Sequence, residues 1–184
     1  GYRIDMARTA DEAEAIHAAQ IAALADAGVD MVTAVTMTYP DEAIGIARAA
    51  KAVGLPHVVS FTVETDGRLA SGHALHEAIA AVEAATGASP LFYMVNCAHP
   101  THFAAALPGP LRDRIGGVRA NASRLSHAEL DEATELDDGD PVEFGALYAE
   151  FPRLLPKLRI IGGCCGTDHR HVGAACQHLH GHAA

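Results

Sequence analysis

The stretch Ile160-Ile161-Gly162-Gly163-Cys164-Cys165-Gly166-Thr167 constrains the fold of this chain more than any other. A β-branched run passes into two glycines, two adjacent cysteines, a third glycine and a threonine able to cap a helix. That order reads as a strand, a sharp turn and a helix start. Neighbouring side chains on an extended strand point to opposite faces, so adjacent thiols reach one point only if the backbone turns between them. Gly162, Gly163 and Gly166 allow that turn. A disulfide between sequence neighbours would be strained. Two thiolates on one soft metal ion are the easier use of this spacing.

At 184 residues the chain is long enough for one domain with a real core, and 49% hydrophobic with 20% charged residues excludes a disordered polymer. A formal net charge of −10 argues against nucleic acid as a partner, which calls for clustered Lys and Arg. No apolar run approaches the roughly 18–20 residues that span a membrane, and no basic segment followed by an apolar one opens the chain as a signal peptide does. Four cysteines do not make a disulfide scaffold at this length and fit a reducing, cytoplasmic setting. The opening Gly1-Tyr2-Arg3, without Met, points to a fragment or a processed product.

Thr9-Ala10-Asp11-Glu12 is a capping box, and the alanine-rich helix behind it stops at Gly28. Val29 to Val35 reads as a strand. Pro40-Asp41-Glu42 opens a helix that ends near Gly54. His57 to Val63 is the next strand, followed by a polar loop over Glu64 to Gly72 and a helix over Ala74 to Thr86 ended by Gly87. A strand from Leu91 to Val95 runs into Asn96-Cys97, and a short helical stretch follows Thr101. Val118 to Ala120 is a brief strand ending at Asn121, and Ser123 to Asp140 is an acidic connection. Pro141 starts a helix to about Leu155, Leu158 to Ile161 is the last strand, and a His-rich helix runs from Asp168.

Near-continuous apolar strands alternating with helices are the pattern of a parallel α/β sheet. Two architectures fit: a five-strand doubly wound parallel sheet, and part of a (β/α)₈ TIM barrel, which usually takes about 250 residues. Length alone favours the first. In both, active sites sit at the C-terminal ends of the strands. No Gly-x-Gly-x-x-Gly follows the first strand and there is no Walker-type loop, so a nucleotide gets little support.

At those strand ends stand Thr36, Glu64, Asn96-Cys97, Asn121 and Cys164-Cys165. Cys97, Cys164 and Cys165 therefore share one rim, whereas Cys176 lies within the last helix and reads as an ordinary buried thiol. A lone cysteine at a strand end is more often structural than functional; three at one end are a candidate metal set. Three thiolates with an open fourth position match a catalytic zinc site rather than a closed structural one. A thiol added at that position would lose its proton and stay a nucleophile, suited to a methyl on sulfonium or quaternary nitrogen. Backbone N–H groups of the Gly-rich turn and the helix start at Thr167 are the candidates to support the excess negative charge. His99, His102, His169 and His171 lie near the same end in surface or outer roles; His178, His180 and His182 read as solvent-exposed.

Gly162-Gly163-Cys164-Cys165-Gly166-Thr167 resembles the hallmark of the zinc-dependent homocysteine S-methyltransferase family, which includes the betaine– and S-methylmethionine–homocysteine methyltransferases. Val95-Asn96-Cys97 resembles the family's earlier cysteine motif, and Ala120-Asn121-Ala122-Ser123 its Asn-Ala-Gly segment. Ser60-Phe61-Thr62-Val63, Asp66-Gly67 and Ser71-Gly72 match in order along the chain. The resemblance implies a (β/α)₈ barrel of which this single domain over residues 1–184 is about the last five units, with the N-terminal strands missing. It implies Zn²⁺ on Cys97, Cys164 and Cys165, homocysteine sulfur as fourth ligand, and methionine as product. Thr36, Asn121 and Gly163 are the candidate substrate contacts. The family commonly has a Glu for the substrate ammonium where this chain has Ala34-Val35-Thr36-Met37, so that task falls to another acid, Glu64, or the acceptor is a different thiol.

The partners are then a small thiol and a methyl donor, with a homo-oligomer as a way to cover open sheet edges. Two other readings stand beside the enzyme. One is a non-catalytic zinc- or thiol-binding fragment. The other is a redox dithiol at Cys164-Cys165, for which no Cys-x-x-Cys speaks.

Overall fold

The computed structural model describes Tyr2, Ile4 and residues 6–179. Its elements run α1 (Ala10–Asp26), β1 (Val32–Met37), α2 (Pro40–Ala52), β2 (His57–Phe61), α3 (Leu75–Thr86), β3 (Tyr93–Asn96), α4 (Pro100–Phe103), β4 (Ile115–Ala120), α5 (His127–Glu132), α6 (Pro141–Tyr148), α7 (Phe151–Leu154), β5 (Ile160–Gly163) and α8 (His169–Leu179). The Thr9–Glu12 capping box forms as the sequence predicts: Glu12 N–H donates to Thr9 Oγ1 and Thr9 N–H to Glu12 Oε2.

The five strands make one sheet in the order β1-β2-β3-β4-β5, every neighbouring pair parallel. That order decides between the two architectures. A doubly wound sheet reverses direction at its switch point and carries helices on both faces, whereas here each strand lies beside the last. The burial pattern agrees. Val59, Phe61, Tyr93, Val95, Val118 and Ala120 join the main core with residues of α2, α3, α6 and α8. Val58, Phe92 and Met94, which alternate with them, form a separate small cluster on the other face with Ile160. One face lies under helices and the opposite face carries its own small apolar cluster, as in a partial (β/α)₈ barrel and not in the doubly wound sheet.

Boundaries shift where glycine or proline obscures the pattern. β1 spans Val32–Met37 rather than Val29–Val35, and β5 spans Ile160–Gly163, taking in the glycines expected to turn the chain. β4 begins at Ile115 because Gly116 and Gly117 lie in the strand, leaving room for Phe92 just before β3 and Met94 on it. The helix predicted from Pro141 to Leu155 is two helices, α6 and α7, with Pro152 inside the second. The acidic connection contains α5, capped by Ser126 and Glu129. His180 and His182 lie outside the described residues.

Candidate metal centre

The parallel sheet brings the ends of β3, β4 and β5 side by side, and the cysteines converge there. The sulfurs of Cys97, Cys164 and Cys165 all lie within 4.8 Å of one another, with Cys97 and Cys165 at 3.7 Å. Tetrahedral zinc with Zn–S bonds of about 2.3 Å requires sulfurs roughly 3.8 Å apart. The donor set and its spacing therefore fit a zinc ion with one position left open. Cys97 is buried, Cys164 half-buried and Cys165 exposed, so the set opens outward. Among the described residues no other group of His, Cys, Asp or Glu gathers in this way.

Two buried asparagines stitch the rim. Asn96 Oδ1 accepts from Thr36 N–H at 2.9 Å and Ser60 Oγ at 2.5 Å, while its Nδ2 donates to Thr36 Oγ1 at 2.8 Å, tying β1 and β2 to β3. Asn121 donates Nδ2 to the Cys97 carbonyl at 3.1 Å and accepts the Cys165 N–H at 3.1 Å on Oδ1, bridging the two cysteine segments. Tyr148 performs the same task from beneath. Its hydroxyl accepts Ala120 N–H at 2.9 Å and donates to the Gly162 carbonyl at 2.6 Å.

The turn itself works differently from the sequence expectation. Of its glycines only Gly166 has a left-handed φ, +75°, whereas a Cβ on Gly163 would lie 2.1 Å from Thr167 Oγ1. Thr167 does not cap the last helix: its hydroxyl donates to the Cys164 carbonyl at 2.7 Å, and Asp168 accepts Arg170 N–H at the start of α8. The amides of Cys164 and Thr167 donate to carbonyl oxygens. The Cys165 amide is the one that also reaches the sulfurs of Cys97 and Cys164.

The thiols share their protons unequally. The Cys164 thiol, hydrogen-bonded to the Cys97 sulfur, draws Cys97 well below the ordinary thiol range, against the effect of burial and with help from the Tyr2 hydroxyl. The same bond, then burial, pushes Cys164 up; burial and the neighbouring Cys97 push Cys165 up. One proton leaves the trio easily and the next is held, as a set of crowded thiols without a cation dictates. Tyr2 is raised by burial and then by its bond to Cys97.

Of the remaining residues singled out in the sequence, Glu64 faces His127 Nδ1 at 3.2 Å. Val35 is 44% exposed and lies within β1, two residues before its end. His99 is buried, its Nδ1 accepting Thr101 N–H as the cap of α4, and burial holds it down at about 4. His102 donates to the Arg124 carbonyl, and His171 is buried with Nε2 on the Asp138 carbonyl. His169 and His178 are exposed and Cys176 is half-buried.

Three site residues lie outside the sequence reading: Tyr2, His127 and Tyr148. For His127 a signal existed, since Ser126-His127-Ala128-Glu129 is a capping box that announces a helix start. A cleft of 580 Å³ opens beside Cys165, lined among others by Tyr2, Asn121, His127, Leu130 and Leu136, a size suited to a small molecule.

Comparison with curated protein sequences finds no match. Three solved structures similar to this chain are the oxidized, metallated and apo forms of the homocysteine methyltransferase MmuM from Escherichia coli. Their identities are 24%, 23% and 21%, and their TM-scores 0.68, 0.67 and 0.66. The matches cover 95%, 94% and 94% of this chain but 54%, 53% and 58% of those, so the chain spans about half the length of these relatives. At that identity the likeness establishes the fold. The model of the homocysteine S-methyltransferase family matches residues 1–179, and the chain belongs to that family.

Proposed function

We propose that Cys97, Cys164 and Cys165 hold Zn²⁺ and that the chain serves methyl transfer to the thiol of homocysteine, or of a similar acceptor, forming methionine. The observation that carries this reading is the gathering of three thiols, remote in sequence, at one strand-end rim of a barrel of this family. Zinc bound there supplies Lewis acidity that keeps an added thiol ionised near neutral pH. The chain's own residues do the positioning. Asn121 fixes both cysteine segments, Asn96 and Thr36 lock the neighbouring strand ends, and Gly163 lets Thr167 close against the turn. These residues serve the acceptor by shaping the rim. The cleft beside Cys165 admits the methyl donor. A reducing, cytoplasmic setting would keep such thiols free to bind metal.

A second reading, a metal- or thiol-binding segment without turnover of its own, draws on the chain's spanning about half of its solved relatives and on the unpaired edges of β1 and β5. Incubation of the zinc-loaded chain with homocysteine and either S-methylmethionine or betaine separates the two. Methionine above the uncatalysed background supports the enzyme; zinc retention with no methionine from either donor assigns the segment role.

A further inference from the structure

Cys97 is the ligand whose backbone is hardest to hold in place. Its φ of +56° lies in the left-handed region, which for a residue other than Gly, Asn or Asp costs about 1 kcal/mol or more and persists only where the surroundings over-determine it. Its carbonyl oxygen shows what does so. It accepts from His127 Nε2 at 2.6 Å, Asn121 Nδ2 at 3.1 Å and Thr62 Oγ1 at 3.4 Å. Thr62 and Asn121 follow β2 and β4 directly. His127 comes from α5, the first residue of a helix set in the long connection after β4.

The His127 ring is itself buried and closely surrounded. A carbonyl can only accept, so Nε2 carries the hydrogen in the bond to Cys97. Nδ1 lies 3.2 Å from Oε1 of Glu64, three residues past β2. The Tyr2 ring packs edge-on at 4.3 Å between centroids. The His127 residue is 8% exposed. The shortest of the three bonds to the Cys97 carbonyl thus comes from a buried ring packed against Tyr2.

We infer that His127 is a positioning residue of the metal centre. It holds the Cys97 carbonyl so that the backbone stays left-handed and the thiol stays turned toward Cys164 and Cys165, while the Tyr2 ring packs against it. The inference rests on reading the three cysteines as metal ligands, and its test keeps the two apart. In the full chain, His127→Ala weakens Co(II) binding about tenfold, the lower end for loss of a partner that orients a ligand, and weakens the Co(II)–thiolate absorption. His127→Gln keeps an N–H at the reach of Nε2 and restores both toward the parent values. An alanine variant with unchanged affinity and spectrum overturns the inference, as does a glutamine variant as weak as the alanine one, which assigns His127 to helix packing alone.

The metal-free chain gives an independent reading. Alkylation of Cys97 by iodoacetamide, separated from Cys164 and Cys165 by mass spectrometry of the peptides, is severalfold faster in His127→Ala and parent-like in His127→Gln. If that pattern holds while the parent binds no Co(II), the metal assignment fails and the positioning of Cys97 stands. Equal alkylation rates in all three proteins overturn the positioning role.

Discussion

At the scale of single residues, the centre is built by side chains that bind backbone. Asn121 uses one end of its amide on the Cys97 carbonyl and the other on the Cys165 N–H, so one side chain sets the distance between two ligand segments. Asn121→Ala removes both bonds from a buried position and costs about 1–3 kcal/mol of stability. The same change weakens zinc binding by about tenfold or more; urea denaturation of the metal-free chain and competition with a chelator measure the two effects separately. The cysteines were legible because Gly-Gly-Cys-Cys-Gly is an unusual local pattern and Cys97 ends a predicted strand. His127 was not. Its partners are a carbonyl 30 positions away in sequence and a carboxylate 63 positions away, and no local periodicity encodes such pairs.

At the scale of elements, helices that end at glycine were readable almost to the residue, since Gly28, Gly54 and Gly87 all take left-handed φ. Strands were readable in number and order but drifted by two or three residues, because parallel buried strands are apolar runs without alternation to mark their ends. The break between α6 and α7 depends on how they pack. Phe144, Tyr148 and Phe151 form a contiguous aromatic cluster, with ring centroids 4.6 Å and 4.9 Å apart. Within it the Tyr148 hydroxyl joins β4 to β5. Tyr148→Phe leaves the Ala120 N–H and the Gly162 carbonyl without that partner, so it destabilises the chain by about 1–3 kcal/mol. A lower urea midpoint at unchanged slope records this. An unchanged midpoint would mean that the clamp contributes nothing.

At the scale of the whole molecule, length and order pointed in different directions. A chain of 184 residues suits a complete five-strand doubly wound sheet, yet the strands lie in simple sequence order with helices on one face. Counting residues cannot distinguish these, because strand order depends on which way each crossover returns. The consequence is an open sheet whose outer strands, among the described residues, are β1 and β5. The cysteine cluster lies away from the β1 edge and beside β5, since its thiols follow β3 and β5 and the groups that hold its backbone come from β2, β4, α5 and α6. All three thiols belong to this chain, so metal binding by them can be tested on the chain itself.

The most direct measurement is the zinc content of the chain after loading and gel filtration, compared with the Cys97→Ser, Cys164→Ser and Cys165→Ser variants. The account predicts about one zinc per parent chain and near-complete loss in each variant, because three thiolates are the minimum for an open zinc site. A parent chain that retains no zinc, or a Cys97→Ser variant that retains it fully, would contradict it.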